Sequence, residues 1–304
     1  MNRAIPFGQV RRLLAIALAL SLVYSLVIAF IATRQRQLIY RPRAELSLLP
    51  SHLDFGLTYE DIWISVGDSG DRLQGWWLPA IPKSVTILPD EPAQILPSPK
   101  VMLYFVGVGR NIGDYNYLAR VSAFRQLGFA VLVLDYRGYG RSQGAFPNEA
   151  QLYEDAQAAW QYLRRDRQIP AEQIVLYGES LGGAIALDLA IQQPDAAGLI
   201  MQSSFTSMVD AVRHRAFTRL LPINPILTER FESLEKIGQL DMPVLFLHGE
   251  ADSVVPYTMS RRLYEAAPYP KQLFLIPEAD HVSIYQPGDA SYLKAIATFV
   301  DVLL

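Results

Sequence analysis

The chain has 304 residues, a formal net charge of -3, four histidines and no cysteine. That length suits one α/β domain of about 250 residues with an appendage. The near-neutral charge makes nucleic acid a poor partner, and without cysteine there is no disulfide, thiol nucleophile or zinc site of Cys/His spacing. Nothing in the composition asks for a metal or an organic cofactor.

Residues 1–12 read as a short tail. Residues 13–32 (LLAIALALSLVYSLVIAFIA) carry no charge, Pro or Gly. As a helix that run is about 30 Å long, enough to cross a bilayer core. A secretory signal has a shorter apolar part, about 7–15 residues, and ends in small-x-small; Phe30-Ile31-Ala32 fits that poorly. The run is therefore read as an uncleaved, single-pass transmembrane anchor, with the membrane as a partner. Arg3, Arg11 and Arg12 precede it, and Arg34, Arg36, Arg41 and Arg43 follow it. That balance is too even to assign sidedness. Residues 33–59 read as a membrane-proximal connector.

From residue 60 to 304 the pattern is that of one α/β domain. Asp61 to Val66 alternates like a strand, Gly67 to Asp71 is a turn cluster, and Leu73 to Leu78 is a second strand, giving a hairpin. Residues 79–99 hold six prolines and read as a loop insertion. Strands and helices then alternate. Strands are expected at 101–106, 130–134, 174–177, 198–202, 244–247 and 272–276, and helices at 115–127, 149–165, 181–191 and 292–303. Residues 203–240 break the rhythm and read as a small helical cap. Such alternation predicts an α/β fold, with a doubly wound, mostly parallel sheet and helices on both faces.

The chemistry starts at Gly178-Glu179-Ser180-Leu181-Gly182, between a strand and a helix. A serine flanked by glycines at such a junction is the nucleophile elbow of serine hydrolases. The turn strains the serine backbone, and glycines at 178 and 182 let strand and helix pass closely. A serine hydroxyl needs a base, and the base an orienting acid. His52 falls in the connector and His214 between Arg213 and Arg215; both read as surface residues. His248 ends a strand before Gly249 and reads as structural. His281 follows the last strand, at the sheet edge where ligand-contacting groups gather, and is read as the base. The loop after residue 247 supplies Glu250 and Asp252 as acids, which spacing alone does not separate. Ser180, Asp252, His281 is the chain order of the α/β-hydrolase triad. Asp135, Arg137 and Glu179 are read as structural.

Several segments carry a specific resemblance: GVGRNIGDY at 107–115, DYRGYGRS at 135–142, GESLGG at 178–183, SSFTS at 203–207, HGEADSVVP at 248–256 and Asp280-His281. The chain resembles an α/β-hydrolase, and within that fold the Bem46-like group of membrane-anchored serine hydrolases, from about residue 60 to 300. The resemblance implies Ser180 as nucleophile, Asp252 as acid and His281 as base. It implies backbone oxyanion donors at Val108 and Leu181. The chain departs from the group at Val106-Gly107-Val108, where such proteins carry His-Gly-Asn. A backbone donor survives that change, but the polar side chains that would fix the loop are gone. By position, Arg110, Phe205, Phe217, Phe231 and Tyr285 are expected to shape the pocket. The implied activity is cleavage of acyl esters or thioesters, on a small-molecule or lipid-like substrate and through an acyl-enzyme. An oligopeptidase-like peptidase and a non-catalytic protein on the hydrolase fold are the other readings. Dehalogenase or epoxide chemistry is disfavoured, because it needs a carboxylate where Ser180 stands.

Overall fold

The uncharged N-terminal run forms one continuous helix, α1 (Phe7–Ile39), long and apolar enough by length and composition to cross a membrane. The computed structural model describes residues 7–67, 70–81, 100–215, 218, 220–286 and 290–303. The start of the tail, Asp68 and Ser69 of the hairpin turn, residues 82–99 of the proline-rich insertion and Phe217 lie outside the described residues.

α1 does not stand apart from the rest of the chain. Tyr24, Ile28, Ile31, Gln35 and Ile39 recur every three to four residues, so they share one face of the helix. Along that face the Tyr24 hydroxyl donates to the Leu220 carbonyl at 2.9 Å. The Gln35 side-chain amide donates to Ile226 O at 3.2 Å and accepts from Thr228 N–H at 2.7 Å. Gln35 is buried, while the opposite face at Leu22 and Leu26 is exposed. The expected anchor and connector are thus docked against the segment 203–240.

The strands are β1 (Glu60–Ser65), β2 (Arg72–Leu78), β3 (Val101–Phe105), β4 (Ala130–Leu134), β5 (Ile174–Glu179), β6 (Gly198–Gln202), β7 (Val244–Gly249) and β8 (Lys271–Ile276). They form one sheet in the order β1-β2-β4-β3-β5-β6-β7-β8. The β1–β2 and β2–β4 pairings are antiparallel, and every later pairing is parallel. Strands β3 to β7 are buried along their whole length, which is why they read as unbroken apolar runs.

Helices α2 (Tyr115–Gln126), α3 (Glu149–Gln161), α4 (Leu181–Gln192), α8 (Tyr257–Ala266) and α9 (Ala290–Leu303) cover the sheet. Right-handed crossovers put α2 on one face and α3, α4 and α8 on the other, because the chain steps one way along the sheet from β3 to β4 and the other way afterwards. Tyr292 of α9 meets Tyr177 at 2.8 Å, and Tyr177 packs on Phe124 of α2, so α9 shares the face of α2. The expected helix 149–165 is α-helical only to Gln161 and finishes in a π-helical turn, Tyr162–Asp166. Helix α8 was not foreseen. The irregular stretch contains the short helices α5 (Met208–Arg213), α6 (Ile223–Ile226) and α7 (Ser233–Lys236).

Candidate active site

The elbow has the geometry its sequence demands. Ser180 has φ 54° and ψ -117°, outside the regions that L-residues favour, at a cost of order 1–3 kcal/mol. A methyl group on residue 178 would lie 2.2 Å from Gly182 O, and one on residue 182 would lie 2.1 Å from Phe105 O. Both contacts are with backbone and cannot relax, so only glycine lets β5, α4 and β3 approach this closely. The turn is tied down by Ser180 N–H donating to Gln202 O at 2.8 Å and by the Ser204 hydroxyl donating to Ser180 O at 3.0 Å.

Three side chains from different loops meet there. The Ser180 hydroxyl lies 3.2 Å from His281 Nε2, and His281 Nδ1 lies 2.7 Å from Asp252 Oδ2. A proton on Nδ1 donated to the carboxylate leaves Nε2 to accept from the serine. The other Asp252 oxygen accepts from Val254 and Val255 N–H, each at 2.8 Å. Asp252 is buried and His281 is 14% exposed. Burial by itself would raise the Asp252 carboxyl. Hydrogen bonds from His248 and His281, the charge of His281 and the Val255 amide overcome it, and hold the carboxyl well below the usual range.

The structure separates the two acids that spacing could not. Asp252 reaches His281, whereas Glu250 is exposed. His248 is more involved than a structural reading of its position suggests. Fully buried, its Nε2–H lies 2.9 Å from Val255 O and 3.2 Å from Asp252 Oδ2, while Nδ1 accepts from the Ser260 hydroxyl at 2.7 Å. The signal in the sequence was its position four residues before Asp252. Asp280 accepts from Ser253 N–H at 3.0 Å and His281 N–H at 2.7 Å, binding the histidine loop to the acid loop. His52 and His214 are exposed and away from the site.

Glu179 points away from the serine hydroxyl into the sheet. It accepts from Tyr104 at 2.7 Å and lies 3.2 Å from the buried Arg120 guanidinium. Arg137 pairs with Asp155 at 2.7 Å and Glu154 at 3.0 Å. These residues are structural, as their positions suggested.

The altered loop after β3 is held by the connector. Gly109 N–H donates to Tyr40 O at 2.9 Å, and the Asn111 amide donates to Arg43 O at 3.1 Å and Glu45 O at 2.6 Å. Ile112 N–H donates to Asp135 Oδ1 at 2.9 Å. The loop is thus held by connector carbonyls that precede the sheet and by Asp135 after β4. Neither Val108 N–H nor Leu181 N–H is taken by another group among the described residues. A methyl group on Gly107 would lie 3.6 Å from Ser180 Cβ, so the loop passes directly over the serine.

Asp135 has a second consequence. Its Oδ2 is buried without a partner, under Gly140, and desolvation outweighs the Ile112 hydrogen bond to push its pKa up to about 8. The folded state therefore holds this proton more tightly than the unfolded state. Its stabilising contribution is complete below about pH 4 and is lost as pH rises to about 8. Asp135→Asn should remove that loss, flattening the unfolding free energy from urea titrations between pH 5 and 8.5 by up to about 4 kcal/mol. The part that comes from Asp155, raised by burial to about 6, should remain. A variant as pH-sensitive as the wild type would show that Asp135 titrates normally.

A cavity of about 510 Å³ opens over Ser180 and His281. Its walls include Val108, Phe205 and Met208, the cap residues Leu221 and Ile226, and Ile31 and Leu38 of α1. Of the residues expected to shape it, Phe205 does. Phe231 packs instead on Tyr40 and Tyr153, Arg110 pairs with Asp114 at 2.8 Å, and Tyr285 stacks on Tyr292. Sequence reasoning missed the wall from α1. A larger groove of about 800 Å³, lined by Trp63, Tyr153 and Arg165, contains none of the Ser180, His281 and Asp252 group.

The fold and the site define an α/β-hydrolase. A family model described as Serine aminopeptidase, S33 (Hydrolase_4) matches residues 97–235 and 227–287. An uncharacterized protein of Mycobacterium tuberculosis is 36% identical over 273 residues, 89% of this chain and 88% of that protein. Protein bem46 of Schizosaccharomyces pombe is 30% identical over 292 residues, 92% of this chain and 90% of that one. Among solved structures, the Pyrococcus furiosus esterase Pf2001 superposes with a TM-score of 0.66 at 18% identity, covering 86% of this chain and 98% of that one. The chain belongs to the Hydrolase_4 family, as a Bem46-like α/β-hydrolase.

Proposed function

We propose that this chain is a membrane-anchored serine hydrolase that cleaves acyl esters or thioesters through an acyl-enzyme. The observation that carries the reading is the line Ser180–His281–Asp252, at 3.2 and 2.7 Å, opening into a mostly apolar cavity. In this reading Ser180 attacks the acyl carbonyl while His281 Nε2 takes its proton and then delivers it to the leaving group. Asp252 holds the imidazole and stabilises its charged form. The unpaired amides of Val108 and Leu181 receive the oxyanion, the latter at the positive end of α4. One such donor is worth on the order of 3 kcal/mol of barrier, so the grip of the connector on the 107–112 loop bears directly on rate.

The family description raises the peptidase alternative. An aminopeptidase must bind a cationic α-amine, which calls for a carboxylate beside the scissile bond. Among the described residues no Asp or Glu lines the cavity, and Arg41 and Arg215 do. That lining favours a neutral or anionic acyl substrate. α1, long and apolar, supports the membrane anchor.

A fluorophosphonate probe, applied to the wild type and to Ser180→Ala, tests the assignment. Labelling of the wild type alone is expected. Equal labelling of both would overturn it, and preference for short peptides over short acyl esters would shift the reading to a peptidase.

A further inference from the structure

We infer that the substrate is a glycerophospholipid of the bilayer, and that α1 is one wall of the tunnel through which its acyl chain reaches Ser180. The inference rests on the hydrolase reading above and adds the substrate class and its route.

Depth along α1 is the first observation. Arg34 and Arg36 mark where the apolar run ends. Tyr24, which donates to Leu220 O, lies ten residues earlier, about 15 Å up the helix. With α1 across a hydrocarbon core of about 30 Å, the contact between α1 and Leu220 lies near the middle of that core. Leu220 itself is 84% exposed there and presents an aliphatic side chain.

The cavity is the second observation. It runs from Ser180 and His281 to the seam between α1 and the cap, bounded by Ile31 and Leu38 on one side and Leu221 and Ile226 on the other. Apart from Gln35, Thr218 and the arginines Arg41 and Arg215, its walls along that seam are aliphatic. A chain already among lipid tails can enter such a slot without crossing water. The buried hydrogen bonds of Gln35 to Ile226 and Thr228 hold the seam together at its lower end.

Charge is the third. Arg41 and Arg215 line the same cavity; Arg41 Nε donates to Leu38 O at 3.1 Å, and neither guanidinium forms an ion pair among the described residues. Two uncompensated cations beside an aliphatic slot suit a phosphate attached to an acyl ester. The reaction balances without a further reagent. The Ser180 oxygen bonds to the ester carbonyl carbon as His281 takes its proton, the bond from that carbon to the glycerol oxygen breaks, and His281 gives the proton to that oxygen of the departing lysophospholipid. Water, deprotonated by His281, then releases the fatty acid.

The test uses the full chain in phosphatidylcholine vesicles doped with a fluorogenic phosphatidylglycerol, assayed beside p-nitrophenyl acetate in solution. The wild type should release fatty acid from the phospholipid. Ile31→Trp should lower the ratio of phospholipid to acetate turnover at least tenfold. Leu26→Trp, on the opposite face of α1, should leave that ratio unchanged. If Ile31→Trp does not fold, Leu38→Phe at 46% exposure fills the slot from its rim. Arg41→Gln with Arg215→Gln should raise KM for the phospholipid about tenfold with little change in kcat. Acetate turnover by the wild type without phospholipid cleavage would overturn the inference, as would preferential deacylation of an S-acyl peptide or an unchanged ratio in both slot variants. Failure of the underlying hydrolase reading looks different: no acetate turnover at all, with the wild type and Ser180→Ala indistinguishable.

Discussion

Ser180→Ala and His281→Ala should each lower kcat by on the order of 10⁶, and the double variant should fall no further. The reason is that in the proposed mechanism the two groups form one device. Without the serine there is no atom to acylate, and without the imidazole the hydroxyl keeps its proton, so either loss removes the same step. The residual rate should remain above that of water, because the cavity and the unpaired amides of Val108 and Leu181 are untouched. Single-turnover kinetics on a short acyl ester measures all three variants. Multiplicative effects, with the double variant far below either single one, would show two separate devices and count against an acyl-enzyme.

Asp252→Asn should lower kcat by about 10⁴ with little change in KM or in thermal stability. The carboxylate accepts from His281 Nδ1–H, and an amide placed there can turn its NH₂ toward Nδ1. That would favour the tautomer with its proton on Nε2, facing Ser180, where it cannot act as base. Stability should survive because asparagine can still accept the Val254 and Val255 amides, and His248 keeps Val255 O and Ser260 as partners. Glu250→Gln, at an exposed position, is the matched control and should be silent. A large loss of melting temperature in Asp252→Asn would instead mean that the carboxylate chiefly holds the loop together.

Much of this was legible in the chain because local rules and the global fold agree. The elbow announces itself since a Cβ at 178 or 182 would fall about 2 Å from backbone, where only glycine fits. The buried central strands announce themselves as apolar runs because both faces are covered. What escaped had no local signature, or a weak one. Helix α8 buries only Met259, Ser260 and Leu263, a thin stripe with a serine in it, so its sequence carries a weak apolar pattern. The bond between His248 and Asp252 joins a strand end to a turn that only the folded loop brings near. The connector's grip on the 107–112 loop is made by the carbonyls of Tyr40, Arg43 and Glu45, and a main-chain acceptor leaves no mark on residue identity. The docking of α1 was hidden because Tyr24 is one hydroxyl in a long apolar run, and Gln35 stands between Arg34 and Arg36 in the stretch read as connector.

That docking also fixes an order of assembly. The partners of Tyr24 and Gln35 lie 191 to 196 residues further along the chain. At roughly 5–20 residues per second, a ribosome takes roughly 10–40 s to reach them after α1 has been made. Throughout that interval the helix has neither its seam nor its glutamine partners, and the central sheet can pair without it. The tunnel over Ser180 is therefore closed late, when the 220–228 segment meets a helix already in place. A newly made chain would carry a finished elbow before it carries a finished pocket.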